Sequence, residues 1–225
     1  MITCCIFDLD GFVVDTAGYH YLAWAELARS LGFDFTPEQG EATRGISRMA
    51  SLDIVLRAGG MQDCFTEEQK ERMAAGKNDR YREYIARMTA GEVLPGVARF
   101  LAELRARGVK VVLGSASKNA GTILDRCGLR PLFDVVVDGT LVSKAKPDPE
   151  IFLRGAELAG ESPDRCVVFE DAAAGIEAAA RAGMRSVGVG GSPALASATL
   201  RLRSFEGFTF DRLVEAVDRN EQTNE

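Results

Sequence analysis

Two pairs of acidic residues each follow directly on a short apolar run. Asp8 and Asp10 come after one near the amino terminus, and Glu170 and Asp171 come after another late in the chain. Ligands bind at the carboxyl ends of parallel strands, so neighbouring strands would bring the four carboxylates together. Like charges at such distances require a cation or raised pKa values. Mg²⁺ meets this requirement, because it binds carboxylates, backbone oxygen, water and phosphate together.

An isolated D-x-D after a strand is also typical of a solvated turn or a helix cap. Two further polar residues make that interpretation less favourable here. Ser115 comes directly after the apolar run 109–114, and Lys146 precedes Pro147. Lys146 would supply a fixed positive charge to the acidic residues. Four features in similar positions therefore favour one chemical site over a set of unrelated turns.

The elements that must position these residues are strands and helices in alternation. Short apolar runs rich in β-branched residues recur along the chain and predict strands. The runs are continuous, which is typical of strands buried on both faces of a parallel sheet covered by helices. The sequence therefore predicts an α/β fold with a doubly wound parallel sheet and a Rossmann-like core. The predicted strands are 2–7, 109–113, 135–137, 166–169 and 186–189.

Residues 16–90 interrupt this alternation, because they contain only amphipathic helical patterns. This indicates an inserted all-helical domain at 15–92 within an α/β domain formed by 1–14 and 93–225. The stretch 190–208 carries no strong pattern. The predicted helices include 17–31, 48–58, 66–88 and a closing helix at 209–219.

The composition excludes several classes of protein. A net charge of -6 gives no basic surface for nucleic acid. The single histidine, His20, excludes a histidine-rich zinc site. Five cysteines without C-x-x-C spacing predict reduced thiols and a cytoplasmic protein. The early Asp8 argues against a signal peptide, and the longest uncharged run, 186–200, is too short and broken to span a membrane.

The order of the polar motifs resembles that of the haloacid dehalogenase superfamily of phosphotransferases, over nearly the whole chain. Those motifs are Asp8-Leu9-Asp10-Gly11, Ser115, Lys146 before Pro147, and Glu170-Asp171. Further motifs are similar to those of the β-phosphoglucomutases within that superfamily. They are 15–20 with Ala23-Trp24, 44–48 with Ser51-Leu52, Lys77-Asn78-Asp79 with Tyr81, and 115–119.

The resemblance implies specific roles for the acidic residues. Asp8 would be the nucleophile that accepts the phosphoryl group, and Asp10 the general acid and base for the sugar hydroxyl. Mg²⁺ would be held by Asp8, the backbone carbonyl of Asp10 and Asp171, with Glu170 beside it. The groups implied to hold the transferred phosphoryl group are the Ser115 hydroxyl, the Ala116 amide and Lys146.

The resemblance also implies a grip on a second phosphate and a sugar pocket under a lid. A mutase must hand the phosphoryl group from Asp8 to a sugar and not to water, so it needs both features. A guanidinium fork suits this grip, and residues 117–119 begin a predicted helix whose amides favour an anion. The residues implied for the grip are Arg48, Ser117, Lys118 and Asn119. Those implied for the hinge and the cap side of the pocket are Thr16, Trp24, Arg44, Gly45, Ser51 and Lys77.

His20 lies four residues before Trp24, so both side chains point from one helical face. A lone histidine there is typical of an ordinary helix surface, but within this motif we predict that His20 orients the hinge or Asp10 when the cap closes. Two positions depart from the family pattern. Arg44 stands where lysine is more common. Gly18 replaces a larger residue, and glycine inside a helix lowers stability by about 1 kcal/mol relative to alanine. Either departure would be able to retune substrate choice, and we expect neither to touch the phosphoryl machinery.

The function that the resemblance implies is interconversion of β-D-glucose 1-phosphate and D-glucose 6-phosphate. The reaction would pass through an aspartyl-phosphate enzyme and glucose 1,6-bisphosphate. We expect a monomer without a nucleic-acid or membrane partner. The alternative is a magnesium-dependent phosphatase of small sugar phosphates, which uses the same nucleophile but requires neither Arg48 nor Lys77. A non-catalytic phosphosugar-binding protein is the third hypothesis. It predicts the loss of Asp8 or Lys146, and both are present.

Overall fold

The computed structural model describes residues 1–44 and 46–222. Its centre is a six-stranded sheet in the order β3-β2-β1-β4-β5-β6, in which all paired strands are parallel. This confirms the α/β class and the doubly wound parallel sheet. The strands are β1 (Cys4–Phe7), β2 (Lys110–Gly114), β3 (Val135–Val137), β4 (Cys166–Glu170), β5 (Arg185–Val189) and β6 (Leu200–Leu202).

The helices of the described residues fall into two groups. Four follow β1 in the chain and form the helical part: α1 (Ala17–Ser30), α2 (Pro37–Glu41), α3 (Arg48–Ala58) and α4 (Glu67–Ile85). The others accompany the sheet: α5 (Val97–Ala106), α6 (Ala120–Arg126), α7 (Glu150–Ala159), α8 (Ala173–Arg181) and α9 (Phe210–Gln222). None of the helices in the described ranges has the length and apolar character needed to cross a membrane.

Two elements are absent from the sequence predictions, because each is too short to show a periodic pattern of apolar residues. The helix α2 has five residues and is defined by its cap: Thr36 and Gln39 exchange side-chain and backbone hydrogen bonds in a capping box. The strand β6 has three residues with Arg201 at its centre, and it pairs along only one side, with β5. An edge strand of this kind carries no continuous apolar run.

The central strand β1 sets the position of the site. Its four residues are fully buried, and it pairs with β2 on one side and β4 on the other. The rings of Phe7 and Phe169 stack at 4.7 Å between centroids across the β1–β4 pair. Since Phe7 is also in register with Leu113, the three strands end at one level. The residues that follow them therefore lie side by side at the carboxyl edge of the sheet.

The helices α1, α3 and α4 bury their own apolar cluster around Trp24, separate from the two clusters on the faces of the sheet. The chain enters and leaves this helical part through neighbouring segments. Leu94 donates a backbone hydrogen bond to Val13 (3.0 Å), and Val14 forms an antiparallel bridge with Val93. Two adjacent connections of this kind are typical of a hinged lid. The domain boundaries at 15 and 92 stay predictions.

Candidate active site

A buried lysine joins two carboxylates at the ends of β1 and β4. Lys146 Nζ lies 2.5 Å from Asp8 Oδ1 and 2.5 Å from Glu170 Oε1. Lys146, Asp8 and Glu170 are all buried. Burial by itself lowers the pKa of a lysine, but the charges of Asp8 and Glu170 raise the pKa of Lys146 above its ordinary value. The ammonium is therefore permanently charged next to Asp8.

Three carboxylates meet at this edge of the sheet. Oxygen atoms of Asp8, Glu170 and Asp171 lie within 4.8 Å of one another. Burial, followed by the charges of Glu170 and Asp8, raises the pKa of Asp171 to about 8. One ammonium does not neutralise three acids, and a divalent cation would complete the charge balance. The donors are all carboxylate oxygens, which is the set that Mg²⁺ prefers.

Two glycines leave no space for a side chain beside these acids. Gly11 has a φ of +78°, and a Cβ atom there would overlap the carboxylate of Asp171. Gly175 lies in the first turn of α8, where a Cβ atom would overlap the carboxylate of Glu170. Oε2 of Glu170 also accepts hydrogen bonds from the backbone amides of Asp171 and Ala172, each at 2.9 Å. Backbone packing thus fixes the positions of the acids.

The carboxyl group of Asp10 lies outside this cluster and is hydrogen-bonded elsewhere. Thr16 Oγ1 donates a hydrogen bond to Asp10 Oδ1. Burial and the nearby charge of Asp8 raise the pKa of Asp10 to about 6, against the opposing effects of Thr16 and Lys146. A carboxyl group with that pKa can both donate and accept a proton near neutral pH. Of the four acids expected to converge, three do so, and Asp10 is held apart in a position suited to proton transfer.

The cap side carries a second buried lysine without a carboxylate contact in the described residues. Lys77 Nζ lies 2.9 Å from His20 Nδ1 and above the ring of Trp24, 4.5 Å from its centroid. The imidazole of His20 stacks on Tyr81 at 4.0 Å between centroids. Burial, with a contribution from the charge of Arg48, lowers the pKa of Lys77 to about 7. Burial also lowers the pKa of His20, with contributions from Lys77 and Arg48.

Replacing Lys77 with methionine is expected to stabilise the protein by about 1–3 kcal/mol at pH 7. The folded-state pKa near 7 is below the ordinary lysine value of about 10.4, so the unfolded chain binds more protons between these values. Wild-type stability should therefore rise with pH across this window, and the gain from Lys77→Met should vanish near pH 10.5. Urea denaturation at several pH values measures both effects.

Lys70→Met on the same helix is the control, because Glu67 and Asp53 contact this lysine. The hydrogen bond with Glu67 raises the pKa of Lys70, the opposite direction from Lys77. Lys70→Met should therefore give no gain in stability. An equal gain in both variants would mean that α4 simply favours methionine, and that burial of the Lys77 charge is not the cause.

A hydrogen-bonded group joins the cap to the core at another part of the cleft. Asn78 Oδ1 accepts hydrogen bonds from Arg48 Nη2 at 2.6 Å and from Asn119 Nδ2 at 3.0 Å. The neighbouring loop is supported by Ser51, whose hydroxyl donates to the carbonyl of Ser47 at 3.1 Å. Arg44 Nη1 lies 3.8 Å from Asp171 Oδ2, so the cap also reaches the acidic cluster. The prediction that Arg44 does not touch the phosphoryl machinery is therefore wrong, because its guanidinium contacts one of the acids.

These groups face one cavity of about 610 Å³ between the helical part and the sheet. Fourteen of the residues predicted for the site line it: Asp8, Asp10, His20, Trp24, Arg44, Arg48, Ser51, Lys77, Ala116, Ser117, Lys118, Asn119, Lys146 and Asp171. Thr16, Ser115 and Glu170 are buried behind its wall, where each contacts a lining residue. Gly45 lies outside the described residues.

The sequence prediction omits several residues of the site. Asn78 and the loop residues Val142, Ser143 and Lys144 line the cavity, and Tyr81 packs behind it. Asn78 is adjacent to Lys77 in the quoted motif, so its sequence neighbour was the signal that could have identified it. The loop residues carry no comparable signal. They lie in the connection from β3 to α7, and only the folded course of that connection brings them to the cavity.

Tyr81 has a fully buried hydroxyl without a hydrogen-bond partner in the described residues, close to the hydroxyls of Thr16 and Ser117. An unsatisfied buried polar group costs about 1–3 kcal/mol. Tyr81→Phe is therefore expected to leave stability unchanged or to raise it by up to about 2 kcal/mol in thermal or urea denaturation.

The matched control for Tyr81→Phe is Tyr84→Phe on the same helix. The hydroxyl of Tyr84 donates to Glu26 Oε1 at 2.5 Å, so its removal should cost about 1 kcal/mol. If Tyr81→Phe costs as much as Tyr84→Phe, the Tyr81 hydroxyl does have a partner in solution, and the description given above is wrong.

Three comparisons relate this arrangement to known proteins. The model of the haloacid dehalogenase-like hydrolase family matches residues 2–183. The chain is 40% identical to a β-phosphoglucomutase of Bacillus subtilis over 93% of each chain. It is 31% identical to a phosphorylated carbohydrates phosphatase of Thermotoga maritima, over 81% of this chain and 82% of that protein.

Among solved structures, the crystal structure of a β-phosphoglucomutase from Clostridium difficile superposes with a TM-score of 0.92. It covers 97% of this chain and 98% of that one at 41% identity. The chain thus matches this family over most of its length. It also contains the acidic cluster, the lysine between Asp8 and Glu170, and the helical insert. The chain belongs to the haloacid dehalogenase-like hydrolase family, as its motifs predict.

Proposed function

We propose that the protein is a β-phosphoglucomutase that interconverts β-D-glucose 1-phosphate and D-glucose 6-phosphate. The observation that supports this proposal is that one cavity is lined by two separate sets of groups suited to holding a phosphate, the first together with a bound cation. Asp8, Lys146 and the acidic cluster form the first set, and Arg48 with Asn119 forms the second. A sugar with two phosphates fits two such sets. The similarity to the Bacillus and Clostridium mutases supports the same activity.

Phosphoryl transfer begins at Asp8. A carboxylate oxygen of Asp8 attacks the phosphorus of a sugar bisphosphate, the P–O bond to the sugar breaks, and the sugar oxygen takes a proton from Asp10. The reverse step with the other hydroxyl of a sugar monophosphate returns the proton to Asp10 and the phosphoryl group to the sugar. Lys146, the Ser115 hydroxyl and the Ala116 amide stabilise the charge on the transferred phosphoryl oxygens.

The family generally uses Mg²⁺, and the donor set of this chain fits that ion. Asp8, the backbone carbonyl of Asp10 and Asp171 would hold it, with Glu170 beside them. When bound, the ion neutralises charge on the acids and on the phosphoryl oxygens. Glu170 contributes mainly by holding Lys146 and by fixing the loop through its bonds to the amides of Asp171 and Ala172.

The cap gives the phosphorylated enzyme its preference for a sugar over water. We propose residues 15–92 as the cap domain and residues 1–14 and 93–225 as the catalytic core domain. The cap contributes Trp24, Arg48 and Lys77 to the cavity, and Thr16 holds Asp10 from the hinge. Closing this lid over a bound sugar excludes water from the aspartyl phosphate. His20 acts through Lys77, which it contacts at 2.9 Å.

We further propose that the enzyme is a cytoplasmic monomer whose ligands are glucose phosphates and glucose 1,6-bisphosphate. The five cysteines are all free thiols, which supports a reducing compartment. Size-exclusion chromatography with light scattering tests the monomer, and a dimer mass would contradict it.

The experiment that tests the function supplies β-D-glucose 1-phosphate, a trace of glucose 1,6-bisphosphate and Mg²⁺, and it follows glucose 6-phosphate and free phosphate together. We expect glucose 6-phosphate to form with little release of phosphate. The α-anomer is the control, and it should not be converted. Release of phosphate without glucose 6-phosphate would contradict the mutase proposal.

A phosphatase acting on small sugar phosphates is the second candidate, and the similarity to the Thermotoga phosphatase favours it. Water would then accept the phosphoryl group from Asp8. The same assay separates the two, because a phosphatase releases one phosphate for each sugar phosphate consumed. It would also show no dependence on added bisphosphate.

A further inference from the structure

One oxygen atom of Asn78 binds two donors that come from different parts of the fold. Arg48 is the first residue of α3 in the cap, and Asn119 directly precedes α6 in the core. Asn78 lies on α4. Arginine Nη2 and the amide Nδ2 are donors only, so the atom between them must be the carboxamide oxygen. With two hydrogen bonds, the acceptor capacity of that oxygen is filled.

The neutrality of this acceptor matters for what Arg48 can do. Arg48 forms no ion pair with a carboxylate in the described part of the chain, although it is half-buried and lines the cavity. Asn78 is neutral and accepts from a single N–H of this guanidinium, and the charge of Asp79 acts on Arg48 without an ion-pair contact. The remaining N–H groups are free to bind the oxygens of an anion. A carboxylate in place of Asn78 would neutralise Arg48 and repel such an anion.

Both donors are thereby held in place whenever the cap lies over the core. Arg48 has a long, flexible side chain, and fixing it during binding would cost conformational entropy. Its hydrogen bond to Asn78 fixes one end of the guanidinium in advance. Asn119 is bound by the same oxygen, so the cap donor and the core donor lie near each other on the cavity wall.

We propose that Asn78 is the positioning residue of the second-phosphate site, and that it makes the protein selective for sugar bisphosphates over donors with one phosphoryl group. Asn78 acts through Arg48 and Asn119, whose N–H groups contact the phosphate. This inference rests on the proposed function, because its ligand is the second phosphate of glucose 1,6-bisphosphate. It adds a residue and a means of selectivity to that site.

The experiment compares Asn78→Asp and Asn78→Ala with the wild-type chain. Binding of glucose 1,6-bisphosphate is measured by calorimetry with Mg²⁺ in an Asp8→Asn background, which prevents turnover. In chains that retain Asp8, the rate of phosphoryl transfer from acetyl phosphate is measured as well, because this donor has no second phosphate. Gln62→Glu, at an exposed cap position outside the cavity, is the control for adding one negative charge.

We expect Asn78→Asp to weaken bisphosphate binding about a hundredfold and Asn78→Ala about tenfold, while Gln62→Glu stays within about twofold of the wild type. The rate with acetyl phosphate should fall far less than the affinity for the bisphosphate. Raising the ionic strength should reduce the difference between Asn78→Asp and Asn78→Ala, since the difference is electrostatic.

Unchanged bisphosphate affinity in both Asn78 variants would overturn the inference. Equal losses in bisphosphate affinity and in the acetyl phosphate rate would also overturn it, because Asn78 would then support the whole cleft and not the second-phosphate site. The proposed function fails separately. Suppose that the wild-type chain releases phosphate without making glucose 6-phosphate, and that Asn78→Asp weakens bisphosphate binding as expected. The first result contradicts the proposed function, and the second supports the inference.

Discussion

Asp8→Asn is expected to lower phosphoglucomutase turnover by about four orders of magnitude or more, without unfolding the protein. The amide has the shape of the carboxyl group but no longer attacks phosphorus. Lys146 keeps its contact with Glu170, so the buried ammonium retains one carboxylate partner. The backbone amide of residue 8 also keeps its hydrogen bond to the carbonyl of Phe169 at 3.0 Å. The loss should therefore be chemical and not structural.

Two measurements check this prediction. Turnover is followed with β-D-glucose 1-phosphate, and mass spectrometry after acetyl phosphate treatment detects the phosphorylated chain. Wild-type protein should carry the phosphoryl group on Asp8, and Asp8→Asn should carry none. Asp34→Asn is the matched control, because Asp34 is exposed and lies outside the cavity. Wild-type turnover in Asp8→Asn would rule out the covalent mechanism.

Lys146→Met is expected to destabilise the protein by about 3–5 kcal/mol in the absence of divalent cations. Methionine fills a similar volume but leaves Asp8 and Glu170 buried, close together and without a counter-charge. Removing one member of a buried ion network costs more than the contact itself contributes, because the remaining charges stay desolvated. Turnover should also be lost, since no ammonium remains to stabilise the transferred phosphoryl group.

The pH range of this contribution follows from the raised pKa of Lys146. Stability from a lysine with a raised folded-state pKa is fully present below the unfolded-state value of about 10.4, and it is lost only as the pH rises through the higher folded-state value. Urea denaturation at pH 7.5 therefore measures the full effect. Lys144→Met is the control, because Lys144 is exposed and its pair with Asp148 contributes at most about 1 kcal/mol.

A loss of the same size in Lys144→Met and Lys146→Met would contradict the assignment of Lys146 to a buried ion network. Addition of Mg²⁺ gives a further check. The ion supplies positive charge beside Asp8, so it should recover part of the stability of Lys146→Met and none of its turnover. This recovery would separate the electrostatic role of Lys146 from its role in phosphoryl transfer.

The sequence predicts the acidic centre well because its geometry follows from strand pairing. Continuous apolar runs identify β1 and β4, and parallel pairing then places Asp8 beside Glu170 and Asp171. The same reasoning did not give the orientation of the Asp10 side chain. That orientation depends on a hydrogen bond from Thr16, and no period in the sequence specifies it.

Contacts on the cap side are harder to predict because they depend on how helices pack. His20 and Lys77 are 57 residues apart in the chain and meet only where α1 lies against α4. The bond between Asn78 and Asn119 further requires the cap to lie over the core. Helical periodicity predicts that α1 and α4 exist and which faces are apolar, but it does not predict which polar side chains meet at their contact.

The central place of β1 in the sheet has a consequence for synthesis of the chain. β1 leaves the ribosome before its partners β2 and β4, which follow only after the whole helical part has been made. The cluster around Trp24 can collapse in the meantime, since its members all precede residue 75. A nascent chain that stops before Cys166 would leave one edge of the apolar strand β1 unpaired. Such edges promote aggregation, so we expect truncated chains of this protein to depend on chaperones until β4 is complete.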